Sequence, residues 1–189
     1  MLAIGSTLAL CVGLGGDELR PRLAGDTLRV SSANLRLLSG RPLESLKNGA
    51  TVTFDFQLVA LNETRLVQAR TAERFVFSYD LWEEKFSVVQ LTAKDTRQPR
   101  ASVLNLLPDA AEQWCIERLA LPSTSLDRQR PLKLRLEIRA DEPRRVGRSG
   151  VDEPSVSLAA LIDIFSRPAR REQRFWVVET PSFRLDTLK

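Results

Sequence analysis

Several separate segments of this chain show a two-residue alternation of apolar and polar side chains. In 131–140 (PLKLRLEIRA), leucine and isoleucine alternate with charged residues without a break. In 51–61 (TVTFDFQLVAL), the aromatic residues share one parity, and threonine, aspartate and glutamine occupy the other. Successive side chains of a strand point to opposite faces, so this pattern predicts strands with one buried face. Such strands typically form an antiparallel sheet with one solvated face.

Three further segments are predicted to join this sheet. Residues 71–82 (TAERFVFSYDLW) run into the polar turn Asp80–Glu84, and residues 85–91 (KFSVVQL) follow it. Together they predict a hairpin. The apolar parity of 26–38 (DTLRVSSANLRLL) changes near its two adjacent serines, which predicts a strand with a β-bulge. Proline interrupts 174–185 (RFWVVETPSFRL), which predicts an edge strand or a break.

Two segments show helical spacing. One starts at Pro108 and has a stripe at Ala111, Trp114, Cys115 and Arg118. The other is 154–169 (PSVSLAALIDIFSRPA), ended by a proline, with an apolar stripe at Leu158, Leu161, Ile162 and Phe165. The sequence therefore predicts an α+β fold: a mainly antiparallel sheet of about six strands, able to close into a sandwich, covered by two short helices.

The first residues are predicted to direct the chain out of the cell. The apolar run Leu2–Leu14 is too short for a membrane span of about 20 residues and has the length of a signal-peptide core. We therefore assign 1–25 to a signal peptide and linker, with cleavage before Gly16, and 26–189 to one β-rich domain in a periplasmic or secreted protein of bacterial type. Two alternatives remain, a buried element of the fold and a lipoprotein anchored through Cys11. A leucine where lipoproteins need a small residue disfavours the second.

Composition excludes several classes of function. The chain has no histidine, so it cannot use a Ser-His-Asp or Cys-His catalytic group or a histidine-ligated metal. It has no phosphate-binding glycine loop in a strand-to-helix context, and we predict no cofactor. The net charge of +4 comes from arginines interspersed with acids, which does not indicate nucleic-acid binding. Cys115 is expected to be a small buried hydrophobic residue.

A few groups of residues still permit an enzyme. Glu83 and Glu84 form a carboxylate pair, although a solvated hairpin turn also explains them. Four acids around a polar loop could bind Ca²⁺ if the loop folded back, but neighbouring arginines would compete for them as ion-pair partners. These acids are Asp141, Glu142, Asp152 and Glu153. The sequon at 62–64 (NET) is more simply a turn between two strands.

A basic cluster follows the second predicted helix. It consists of Arg167, Arg170, Arg171 and Arg174. Beside an apolar helical stripe, such a cluster could rest on an anionic membrane surface or bind an acidic partner. The alternative is that the stripe packs on the sheet and the arginines are the solvated end of the helix.

The order of elements resembles a known family. Residues 35–61 (LRLLSGRPLESLKNGATVTFDFQLVAL), 74–91 (RFVFSYDLWEEKFSVVQL), a helical segment, 130–140 (RPLKLRLEIRA) and an aromatic last strand resemble a bacterial family of exported proteins catalogued only as a domain of unknown function. The resemblance implies an envelope protein of unassigned role and supplies no functional residue.

The sequence thus predicts a non-enzymatic exported envelope protein that acts as a binding or interaction module. Its expected partner is another envelope protein or an amphiphile, and association with a membrane surface remains open. The alternatives are a carboxylate- or metal-dependent enzyme and an amphiphile-binding protein at the membrane surface.

Overall fold

Strands make up most of the structure, a computed structural model that describes residues 19–91, 99–141, 162, 165, 166 and 174–188. The strands are β1 (Leu19–Ala24), β2 (Thr27–Ser32), β3 (Val52–Asn62), β4 (Val67–Asp80), β5 (Lys85–Leu91), β6 (Pro99–Leu106), β7 (Ala120–Pro122), β8 (Leu132–Asp141) and β9 (Phe175–Glu179). Helix α1 (Arg41–Lys47) precedes β3, and helix α2 (Pro108–Ile116) follows β6. The strands form two antiparallel sheets, a large sheet in the order β6-β5-β4-β3-β8-β9 and a small sheet in the order β1-β2-β7.

The centre of the large sheet is the β3–β4 hairpin, with β8 on the other side of β3. Phe54 pairs in register with Phe75 of β4 and with Ala140 of β8, so the apolar parities of the three strands share one face. We call this the inner face and the opposite side, which carries Asp55, the outer face. The alternating pattern that predicted these strands therefore also aligns them.

The hydrophobic core lies between the inner face, the small sheet and the two helices. Aromatic rings fill its centre: Phe54 and Phe77 meet edge-to-face at 5.1 Å, and Phe56 and Phe75 at 5.0 Å. Leu28 of β2 is fully buried in the same cluster. This arrangement confirms the predicted α+β, sandwich-like class, although the described residues form nine strands where about six were expected.

Both helices contribute buried residues to this core. Helix α2 begins with the predicted proline and packs against β5 and β2. Helix α1 was not predicted, because seven residues are too few to show a helical period. It starts after Gly40, whose φ of 56° lies in the left-handed region that favours glycine, and a Cβ there would also approach the Arg174 guanidinium within 2.8 Å.

The prediction of a solvated second face is wrong for the central strand β3. On the outer face Asp55 is only 2 % exposed. Its carboxylate accepts two hydrogen bonds from Arg74 of β4, from Nε at 2.6 Å and from Nη2 at 2.9 Å. Arg139 of β8 pairs with Asp55 in register on the other side, and the ring of Phe165 lies 4.9 Å from its guanidinium. Long arginine side chains and an aromatic ring therefore cover this face.

The predicted second helix lies largely outside the described residues. Its described positions 162, 165 and 166 are helical, and Ser166 Oγ donates to the Ile162 carbonyl at 3.0 Å. The Phe165 carbonyl accepts a hydrogen bond from Arg139 Nη2 at 3.2 Å, so this part of the stripe contacts the sheet on its outer face. Leu158 and Leu161 lie outside the described residues.

Two expectations about the first third of the chain need correction. No bulged strand continues past Ser32: β2 ends there, and residues 33–40 form an irregular segment that we call the strap. Strand β1 occupies residues assigned to the linker and pairs with β2 from Leu19–Ser32 to Ala24–Thr27, so the sheet extends upstream of residue 26. The apolar run of 2–14, Cys11 and the expected cleavage before Gly16 lie outside the described residues.

Candidate functional site

The structure locates one residue of the predicted basic cluster, Arg174. Its side chain is exposed, and Nη1 donates to the Ser39 carbonyl of the strap at 3.4 Å. Its backbone carbonyl accepts a hydrogen bond from the Ala140 amide at 3.0 Å. Arg174 therefore fastens the strap near the start of β9. Arg167, Arg170 and Arg171 lie outside the described residues, so the cluster stays a prediction.

The predicted catalytic and metal candidates do not gather in one place. Asp141, at the end of β8, is exposed, and Glu142, Asp152 and Glu153 lie outside the described residues. Within the described ranges, no group of three or more Cys, Asp or Glu residues is arranged to hold a metal ion. Neither described helix has the length and apolar character needed to cross a membrane.

Cys115 is fully buried on α2, as predicted. Burial raises the pKa of its thiol well above the ordinary value, which disfavours the reactive thiolate.

The predicted hairpin turn between β4 and β5 presents an apolar side chain to solvent. Trp82 at its centre is 95 % exposed, and the neighbouring Leu81 is 59 % exposed. The rings of Tyr79 and Phe86 pack against each other at the base of the hairpin, tilted by 51° with their centroids 4.9 Å apart. Asp80 Oδ1 accepts hydrogen bonds from the Trp82 amide at 2.8 Å and from the Glu83 amide at 3.1 Å. The tryptophan is thus held on an ordered turn.

The edge strand β6 and the residue that follows it bring two more exposed leucines to this end of the sheet. Leu106 pairs with Phe86, at the start of β5, and the register shifts before the next pair. Asn105 has a φ of 60°, the left-handed conformation that a bulge residue often adopts. Leu104 and Leu107, on either side of this segment, are 67 % and 65 % exposed. We call Leu81, Trp82, Leu104 and Leu107 the tip surface.

The rim of the tip surface is acidic. Residues 80–85 contain three acids and one lysine, in a chain that is positive overall. The Asp80 carboxylate already accepts hydrogen bonds from amides of the turn. Glu83 Oε2 lies 3.8 Å from Lys85 Nζ in an exposed ion pair. Glu84, with φ of 53°, adopts the left-handed conformation that closes the loop. Sequence reasoning treated Glu83 and Glu84 as a turn or a catalytic pair, and the structure shows the turn.

A second unusual feature is a buried carboxylate on α2. Glu112 is 4 % exposed, and its Oε1 accepts hydrogen bonds from the amides of Leu37 and Leu38, both at 2.8 Å. Its Oε2 and the Oγ of Ser32 are buried without a hydrogen-bond partner among the described residues. Both residues line a cavity of about 20 Å³ between α2 and the strap. Burial raises the pKa of Glu112 above its ordinary value of 4.5, against the lowering effect of the two amides.

The opposite end of the large sheet has a cleft of about 220 Å³ with a mixed polar and apolar lining. It is lined mainly by Asn62, Glu63, Arg65, Lys133, Glu179 and Ser182. The Glu179 carboxylate lies 3.7 Å from Arg65 and 3.9 Å from Arg135, so charges at the cleft pair with one another. Asn62 Oδ1 accepts hydrogen bonds from the Leu66 amide and the Thr64 hydroxyl, both at 2.8 Å, which confirms the predicted turn at 62–64.

Comparison of the chain with family models, curated proteins and solved structures gives no match. The resemblance to an exported family of unknown function therefore stays a prediction.

Sequence reasoning missed both Trp82 and Glu112 as features of interest. The turn was treated as polar because acids surround it, although a Leu-Trp pair within a turn is itself unusual. Glu112 was placed outside the helical stripe, yet it stands one position after Ala111 and four before Ile116, both buried. Its position on the inward side of α2 was therefore readable from spacing alone.

Proposed function

We propose that this chain is a non-enzymatic protein-binding module whose tip surface docks into an apolar pocket of a partner protein. The observation that carries this proposal is the 95 % exposure of Trp82 on an ordered turn. A large aromatic side chain held in water gains nothing for folding, whereas aromatic anchors dominate the binding energy of protein interfaces.

The construction of the turn supports this role. The hydrogen bonds to Asp80 and the packed Tyr79–Phe86 pair hold the loop that carries Trp82, so binding would cost little conformational entropy. Leu104 and Leu107 extend the apolar area along the adjacent edge strand. An apolar centre with a polar rim is the usual anatomy of an interface.

The charge of the rim favours one kind of partner. Asp80, Glu83 and Glu84 outnumber the single Lys85, so we commit to a protein whose pocket has a basic border. An anionic membrane would be repelled by the same rim. The proposed location is an exported compartment, on the strength of the apolar run Leu2–Leu14.

Site-specific photo-cross-linking in cells of the source organism tests this proposal. A photoreactive residue replaces Trp82 in the full chain, and a matched control carries it at Leu66, an exposed leucine at the opposite end of the sheet. We expect a discrete protein adduct at position 82 and none at position 66. When the cells are lysed gently before irradiation, the yield at position 82 should fall as salt is added.

Three other results would overturn it. Adducts of equal yield at both positions would mean that the tip surface has no special partner. An adduct with a second copy of the chain would make the surface a dimer interface. Flotation of the purified chain with liposomes, abolished by Trp82→Ser, would replace the protein partner with a lipid surface.

A further inference from the structure

The cavity between α2 and the strap combines three features that rarely occur together. Its acidic side chain, Glu112, is almost fully buried, and one carboxylate oxygen is fully engaged while the other has no partner among the described residues. A second buried oxygen, Ser32 Oγ, is also unpartnered and lines the same cavity. Buried polar atoms normally have hydrogen-bond partners, so these two point to an occupant or to a proton.

The size and charge of the cavity restrict that occupant. A volume of about 20 Å³ accommodates about one water molecule. The Glu112 carboxylate disfavours an anion. Arg36 and Asp109, which also line the cavity, form an ion pair with each other. A neutral molecule that donates to Glu112 Oε2 and exchanges a hydrogen bond with Ser32 Oγ meets these conditions, and water is the smallest such molecule.

We propose that Glu112 and Ser32 form a proton-dependent water site that fastens the strap to α2. One water bridges Glu112 Oε2 and Ser32 Oγ. While Glu112 is ionised, the water donates to Oε2. When Glu112 takes up a proton on Oε2, the carboxyl donates to the water instead, and the charge that strengthens the two amide hydrogen bonds at Oε1 is lost.

The groups around Glu112 set the direction of its titration. Arg36 of the strap favours the ionised form, whereas Asp109 on α2 disfavours it. Cys115 on α2 stays neutral, and β2 contributes only the Ser32 hydroxyl. Loss of solvation on burial outweighs the favourable contacts, so Glu112 is expected to bind its proton at a higher pH than an exposed glutamate.

Nuclear magnetic resonance on the full chain tests this site. We expect the Glu112 side-chain carbon and the Leu37 and Leu38 amides to titrate together, with a midpoint above 4.5. The variant Glu112→Gln keeps an acceptor for both amides and should abolish their titration. Ser32→Ala removes the hydroxyl that holds the water donating to ionised Glu112, so it should raise the midpoint further.

The matched control is Ser39→Ala, which changes a strap serine whose hydroxyl donates to the Arg36 carbonyl instead. It should leave the midpoint unchanged. A midpoint at or below 4.5, amides that do not follow Glu112, or an equal effect of Ser32→Ala and Ser39→Ala would overturn the proposal. A high-resolution crystal structure with Ser32 Oγ bonded directly to Glu112, and no water between them, would overturn the bridging step.

Discussion

Asp55 and Trp82 are opposite exceptions to the rule that charge faces water and apolar surface is buried. Asp55 is 2 % exposed on the outer face of the large sheet, and Trp82 is 95 % exposed at the tip of the same sheet. The buried charge of Asp55 is compensated within the chain, because Arg74 donates two hydrogen bonds to its carboxylate. Trp82 is left in solvent, which is why it points to a partner.

Glu112 lies between these two cases. It is as well buried as Asp55, but only one of its oxygens has a hydrogen-bond partner among the described residues. The exposed fraction of a side chain alone therefore does not identify a functional residue. What matters is whether the chain itself supplies the contacts that the side chain needs.

The largest expected effect is on Asp55. The variant Asp55→Ala leaves the mostly buried Arg74 guanidinium without its carboxylate, so the free energy of unfolding should fall by about 3 kcal/mol. Urea denaturation followed by circular dichroism measures this change. The matched control is Glu83→Ala in the exposed pair with Lys85, which should cost no more than about 0.5 kcal/mol. Equal losses of unfolding free energy in both variants would show that the buried Asp55–Arg74 pair stabilises the fold no more than an exposed ion pair does.

A smaller effect of opposite sign is expected for Glu112. Because burial raises its pKa above 4.5 in the folded state, the stability that its protonated form contributes is fully present below pH 4.5 and is lost as the pH rises through the folded value. At pH 7 Glu112→Gln should therefore raise the free energy of unfolding, because the neutral amide does not carry the cost of a buried charge.

This gain should disappear toward pH 4, where the wild-type carboxyl is also neutral. Urea denaturation of both chains at a series of pH values measures it. A gain in unfolding free energy that persists unchanged at low pH, or a loss at pH 7, would contradict the inference that ionised Glu112 destabilises the folded chain.

The smallest effect on stability is expected at the tip. Trp82→Ser removes a side chain that is almost fully exposed, so the free energy of unfolding should change by no more than about 0.5 kcal/mol. Urea denaturation checks this, with Phe77→Ala in the core as the reference for a residue that does stabilise the fold. A loss at Trp82 comparable to that of Phe77→Ala would mean that the tryptophan belongs to the fold.

Sequence periodicity predicted the parts of the fold that have strong local patterns. The strands at 51–61, 71–80, 85–91 and 131–140 and the helix from Pro108 all follow from alternation or helical spacing. Strand β7 has only three residues and α1 only seven, so neither is long enough to show a period. Strand β1 was assigned to the linker, because its pairing partner is revealed only by the fold.

The functional features depended on contacts that a pattern does not contain. Asp55 was expected to face water because its parity is polar, and the cover came from arginines on two neighbouring strands. The spacing on α2 places Glu112 on the inward side, but its hydrogen-bond partners belong to the strap, more than 70 residues upstream, and only the fold reveals them. Trp82 could have been noticed in the sequence, but only the structure shows that nothing in the described residues buries it.

The most direct test of the central claim is the affinity of the purified partner, once captured at position 82, for three versions of the chain. Isothermal titration would compare wild type, Trp82→Ser and the control Leu66→Ser. We predict that Trp82→Ser raises Kd at least about 10-fold with unchanged stability, as expected for an aromatic anchor, while Leu66→Ser leaves Kd unchanged. An unchanged Kd for Trp82→Ser would contradict it.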